Sequence, residues 1–273
     1  MESFSERNGF RKPKMELQID EVDDPLRAGL WNFIDFASLN NEDISGYDDG
    51  SYSDQFETFT MIMWHSFFNF AVDTRPRRAS EAKQVIRDRF FSSGFPELYD
   101  ILEFIGSNTD REKEFHSLCN KVLECEKSAF RFVGQHLTQI TNNTEIVEIE
   151  VAQDQNKSKS VSSHINAAVS LYSNRKKPDY RNSIKESISA VEAAAKKLAG
   201  PDTKTLGEAL KVLGKNGTLH KALASGYSSL YGWTNDSEGI RHALMDEATI
   251  TEADARYMLV SCSAFSNYLL SKI

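Results

Sequence analysis

The chain has 273 residues, of which 40% are hydrophobic and 26% charged, and its formal net charge is -8. That length holds one large domain or two of ordinary size, and the composition is that of a globular protein. The acidic balance excludes a surface that is basic everywhere, so any nucleic-acid site has to be a local patch. Cys119, Cys125 and Cys262 form no CxxC pair, which argues against a disulfide framework and a zinc site and fits a reducing cytoplasm.

No apolar h-region opens the chain, so a signal peptide is not expected. Residues 1–20 are poorly periodic. Asp23-Asp24-Pro25 has the form of a helix start, with acid and proline early, and Leu26, Leu30, Phe33 and Ile34 make the stripe that follows. Residues 40–54 read as a loop; their aspartates do not have the spacing of an EF-hand. A helix is expected over 53–72, with Phe56, Phe59, Met63, Phe67 and Phe70 on one face, widened by Ile62, Trp64 and Phe68. Its greasiest part, 59–72, is broken by His65, Ser66 and Asn69. It falls short of the roughly 20 residues that span a bilayer, so it reads as a buried core helix with His65 as a hydrogen-bonded core histidine. No membrane partner is expected. Further helices are expected at 80–92, 95–106 and 110–126. Residues 129–140 read as either a short strand pair or an irregular packing segment, and 145–152 suit helix and strand equally.

Residues 153–160 are polar throughout and form the best linker, dividing the chain into domains 1–152 and 161–273. The second half is helical by period. Helices are expected at 161–173, 179–199, 206–213 and 219–230, the second carrying Ile184, Ile188, Val191, Ala195 and Leu198 on its stripe. Thr251 and Asp254 are close to a capping box, and the last helix carries Ala255, Met258, Cys262, Phe265 and Leu269. The fold class expected is therefore mainly α: two helical domains, the first with room for a short β-hairpin.

The candidate chemistry lies in residues 231–246. Thr234, Asn235, Asp236 and Ser237 are all good N-cap residues, so a helix start is expected there. Arg241 and His242 follow. The guanidinium suits phosphate oxygens and the imidazole exchanges a proton near neutral pH, so together they have the means to cleave RNA without a metal. The other reading is a pair of local contacts, Arg241 with Glu238 and His242 with Asp246. Glu192 either orients one of these groups or pairs with Lys196 one turn on. Arg175, Lys176, Lys177, Arg181 and Lys185 are the strongest positive cluster, flanked by Tyr172 and Tyr180. They either track a phosphate backbone and stack a base or form a solvated corner. Nucleotide-binding glycine motifs, nucleophile elbows and metal-spaced histidines are absent from the sequence, so no cofactor or metal is expected.

On Asp179-Tyr180-Arg181-Asn182-Ser183-Ile184-Lys185-Glu186, the lead Tyr231-Gly232-Trp233-Thr234 and Ile240-Arg241-His242-Ala243, the second half resembles the HEPN superfamily. On Phe4-Ser5-Glu6-Arg7-Asn8-Gly9-Phe10, Leu30-Trp31-Asn32, Tyr99-Asp100-Ile101-Leu102-Glu103-Phe104 and Phe130-Arg131-Phe132-Val133, the first half resembles the N-terminal domain of AbiJ-type abortive-infection proteins. The resemblance implies an up-and-down helix bundle that often dimerises, a metal-independent endoribonuclease in many members, and a setting in anti-phage defence. Those members carry a histidine a short gap beyond the arginine and its polar neighbour. Here Arg241 is in place, His242 fills the polar slot, and Asp246, Glu247 and Ala248 occupy the distal region. The expectation is a cytoplasmic abortive-infection protein acting on RNA and answering a phage-derived trigger. Arg241 would hold phosphate, His242 would move the proton, and Glu192 or Asp246 would orient them. The alternative is a non-catalytic sensor or scaffold. The last helix, with Tyr257, Leu259, Val260 and Tyr268 beyond its main stripe, points to a homodimer.

Overall fold

The computed structural model describes residues 4, 8, 17–39, 53–174, 177–200, 202–235 and 250–273. The chain is mainly helical and separates into two compact units, Met1–Leu137 and Thr138–Ile273.

In the first unit, helix α1 (Asp24–Ile34) starts where the Asp23 carboxylate accepts the Leu26 N–H, with proline in its first turn. It buries Leu26, Leu30, Trp31 and Ile34. Helix α2 (Asp54–Ile62), capped by Ser53, passes directly into a π-helical turn at Met63–Phe67. The wider turn changes the helical phase, so residues beyond it leave the stripe that a 3.6-residue period predicts. This corrects two expectations. The helix does not run to residue 72, and His65 is an exposed residue beside the Ser66 hydroxyl, 3.1 Å away, not a core histidine. Met63 and Trp64 are buried, but Phe70 is 51% exposed.

Helices α3 (Ala79–Ser92), α4 (Phe95–Ser107) and α5 (Glu112–Cys125) fall where the period predicts them. Strands β1 (Arg131–Val133) and β2 (His136–Thr138) pair as a small sheet around Gly134, whose φ is 58°. The segment 129–140 is thus a hairpin. Buried Gln18 fastens the N-terminal part of the chain to the α5–β1 connection. Its N–H and C=O pair with Lys127 and Ala129, while its amide donates to Glu126 O at 2.7 Å and accepts the Asp23 N–H at 2.7 Å. Arg131, 4% exposed, donates to Ser128 O and Phe130 O and so braces the same corner.

His116 on α5 stacks on Phe132 with ring centroids 4.2 Å apart. A Cβ added at Gly106 would sit 2.7 Å from His116 Nε2. The imidazole is held by the stack and cannot swing away, so Gly106→Ala should destabilise the first unit by about 1–3 kcal/mol through overpacking. Urea unfolding followed by circular dichroism checks this.

The second unit is a helix bundle. It begins with α6 (Asn143–Ala152), capped by Asn142, which settles 145–152 as helix. A turn closed by the Asn156 N–H on Asp154 Oδ1 leads into α7 (Lys159–Ser173), capped by Ser158. The polar segment 153–160 therefore connects two helices of one compact unit. Helix α8 (Tyr180–Ala199) buries Ser183, Ser187, Ala190 and Ala194 beside Ile184 and Val191, small residues that allow close approach to α7. The Ser183 hydroxyl donates to Ala168 O on α7 at 2.9 Å. Gly200, at φ 104°, ends α8. Helices α9 (Leu206–Lys215) and α10 (Lys221–Asn235) follow, and α11 (Glu252–Leu270) begins with the capping box formed by Thr251 and Asp254. Helix α10 reaches Asn235, so Thr234 and Asn235 lie within a helix and do not cap the start of one. A helix start at Asp236 or Ser237 lies outside the described residues. Arg256 to Glu145 at 2.7 Å and Asn267 to Glu148 O at 2.9 Å clamp α11 to α6.

Candidate functional site

The positive cluster sits where α7 ends and α8 begins. Its turn is held by local bonds: the Lys177 N–H donates to Asn174 Oδ1 at 3.2 Å and the Asp179 N–H to Leu171 O at 3.1 Å. Asp179 caps α8 by accepting from the Asn182 backbone at 3.0 Å and side chain at 2.7 Å. Those two hydrogen bonds hold its carboxyl below the usual range. Beyond the cap, Arg181 and Lys185 lie one turn apart on the same side of α8. Lys177 and Lys185 are exposed and Arg181 is half-buried. Arg175 and Lys176 are outside the described residues.

Tyr172 has a different role from the one the sequence suggests for the two tyrosines of this corner. Their ring centroids are 6.1 Å apart, but Tyr172 is only 5% exposed and its hydroxyl donates to the Glu252 carboxylate. Burial and that neighbouring carboxylate push the Tyr172 hydroxyl far above the usual phenol range. Tyr172 is therefore a strut between α7 and α11, with no free face to stack a base. The strut places the first turn of α11 beside the C-terminal turn of α7, next to the basic cluster. The described chain resumes at Ile250, and Thr251 caps this turn of α11. Arg241, His242 and Asp246 themselves lie outside the described residues.

Glu192 is accounted for within its own helix, with Lys196 Nζ at 2.5 Å. It stands eleven residues beyond Arg181, about 16 Å along the axis at 1.5 Å per residue. Glu192 and the basic cluster are thus not brought together. The structure adds a pair that sequence reasoning missed: His164 Nδ1 on α7 lies 2.7 Å from Glu186 Oε2 on α8, both partly exposed. A carboxylate on one ring nitrogen fixes the tautomer and leaves the other nitrogen for proton exchange. Neighbour rules along one helix cannot find this pair, because its members belong to different helices.

The second unit is thus a helical bundle with a local basic corner, and the first is a separate helical unit with a hairpin. The chain belongs to the family AbiJ N-terminal domain 4, whose profile matches residues 2–155. The family connects it with abortive-infection defence against phage. No curated protein and no solved structure matches the chain. The family region extends to residue 155 and so includes α6, which packs in the second compact unit. Among the described residues no helix is long and apolar enough to cross a membrane.

Proposed function

We propose that the protein is an abortive-infection effector whose second unit is a HEPN-like bundle that engages RNA at the α7–α8 corner and cleaves it without a metal. Lys177, Arg181 and Lys185, with Arg175 and Lys176, supply the phosphate contacts. Arg241 holds the scissile phosphate, His242 moves the proton, and Asp246 orients the imidazole. The observation that supports this reading is the Tyr172–Glu252 hydrogen bond, which sets the first turn of α11, the next described element after Arg241 and His242 in the chain, beside the basic corner. Tyr257, 56% exposed, and Tyr268, 40% exposed, are consistent with a homodimer through α11, whereas Leu259 is fully buried and contributes nothing to that surface.

The occupation of Glu192 by Lys196 favours a second reading, in which the bundle binds RNA or a protein partner without cutting it. Both readings that involve RNA predict that Arg181→Glu with Lys185→Glu lowers RNA affinity by on the order of tenfold or more and flattens its salt dependence. Fluorescence anisotropy with a labelled single-stranded RNA across a salt series measures both. Unchanged affinity would remove the basic corner from the site.

A further inference from the structure

The first unit contains a pocket that the RNA reading leaves unused. It has a volume of about 330 Å³ and opens between the end of the Met63–Phe67 turn, the C-terminal half of α4 and the hairpin turn. That volume lies at the lower end of small-molecule sites. Phe67 and Phe104 line it with ring centroids 5.1 Å apart, and Asp100, Glu103, Asn108 and His136 supply its polar groups.

Two of the polar groups, Glu103 and Asn108, are held by hydrogen bonds. Glu103 Oε1 accepts the Leu137 N–H at 2.6 Å, which fixes the carboxylate against the hairpin, while Oε2 has no hydrogen bond among the described residues. Asp100 stands one turn back on the same side of α4. Asn108 donates to Phe104 O at 2.8 Å, which leaves its carbonyl oxygen as an acceptor. Burial raises the Glu103 carboxyl, so the site holds its negative charge at a cost that a bound positive charge would relieve.

This lining discriminates among ligand classes. An anion would face two carboxylates with a single imidazole beside them. A neutral apolar ligand would cover a carboxylate oxygen without pairing it, which is costly. A flat cation with several N–H donors satisfies the carboxylate and lies against the rings. We infer that this pocket of the N-terminal unit is a recognition site for a guanidinium group, carried either by a free guanidino compound or by an arginine side chain of a partner polypeptide. Glu103 and Asp100 accept its N–H groups, and Phe67 and Phe104 cover its face.

Calorimetric titration of the full chain with arginine amide, a blocked Gly-Arg-Gly peptide and citrulline amide tests this, because citrulline keeps the shape and loses the charge. The arginine probes should bind and citrulline should not. Glu103→Gln keeps an acceptor for the Leu137 N–H, and Asp100→Asn keeps the side-chain shape. With thermal melting showing each variant folded, each should weaken arginine binding by about tenfold or more. If one variant fails to fold, the other carries the comparison. A peptide much tighter than arginine amide identifies a partner chain as the source, and equal affinity identifies a free compound. Equal binding of citrulline, absence of binding by both arginine probes at millimolar concentration, or unchanged binding in a folded variant would overturn the assignment.

Discussion

His242→Ala is expected to reduce RNA cleavage by roughly 10²- to 10⁴-fold, the range over which a positioned proton-transfer group contributes, and Arg241→Ala by roughly 10²- to 10³-fold, the range for removing a donor that stabilises developing charge. Unfolding free energy should stay within about 1 kcal/mol of the parent, as it does for surface substitutions that remove no core contact. The two effects have to be measured on the same preparations. Loss of cleavage with full stability assigns the pair to chemistry. Loss of both would mean that the side chains hold the bundle together and that the RNA site lies elsewhere. His164→Gln is the informative companion. His164 and Glu186 form the one carboxylate–imidazole pair between α7 and α8 among the described residues. A fall in activity there comparable to that of His242→Ala would place His164 in the role left open by Asp246, Glu247 and Ala248.

Acid should weaken the first unit through His116. The imidazole is 6% exposed and Nε2 has no hydrogen-bond partner. Desolvation lowers its pKa from 6.5 to about 4. Above 6.5 the folded and unfolded chains both hold it neutral, and it contributes no pH dependence. As the pH falls from 6.5 towards 4 the unfolded chain takes up a proton that the folded chain refuses, so stability is lost across that window. The loss levels off below about 4. A shift of this size corresponds to roughly 3 kcal/mol at most. Urea midpoints at pH 7 and pH 4.5 should differ more for the parent than for His116→Leu, which has no proton to bind. Glu103 works in the opposite direction, because its raised carboxyl favours the folded state as pH falls; comparison with the variant isolates the histidine. Equal pH dependence in the two proteins would contradict this account of the buried ring.

The parts of the fold that were legible in the sequence are those set by one helix acting alone. Helices α3, α4, α5, α7 and α8 follow from period and punctuation, and the Thr251–Asp254 box marks the start of α11 as its spacing suggests. Residues 129–140 fit a strand pair or an irregular packing segment, and the β-branched run at 145–152 fits helix and strand alike. The structure resolves them through the Gly134 turn and the Asn142 cap. The stripe over 53–72 misled because a π turn breaks the phase of a periodic sequence without any glycine or proline to announce it. His65 lies within that turn, about half a helical circumference from Phe56, and faces solvent.

The candidate site was legible to a smaller extent. The basic residues and their position at a helix start could be read along the chain. The burial of Tyr172, its bond to Glu252 eighty residues away and the His164–Glu186 pair could not, because each depends on which helices pack together. Glu192 illustrates the same limit from the other side, since its nearest cation is the one a turn away on its own helix. The guanidinium pocket in the first unit also depends on tertiary packing: Phe67, Glu103 and His136 come from three separate elements.

Metal-independent cleavage is tested most directly by incubating the purified full chain with total RNA, with and without a chelator, and following the fragments on a denaturing gel. RNA should be cut to the same extent in both tubes and left intact by Arg241→Ala. RNA left intact by the parent protein at high concentration, or cut only in the tube without chelator, would contradict it.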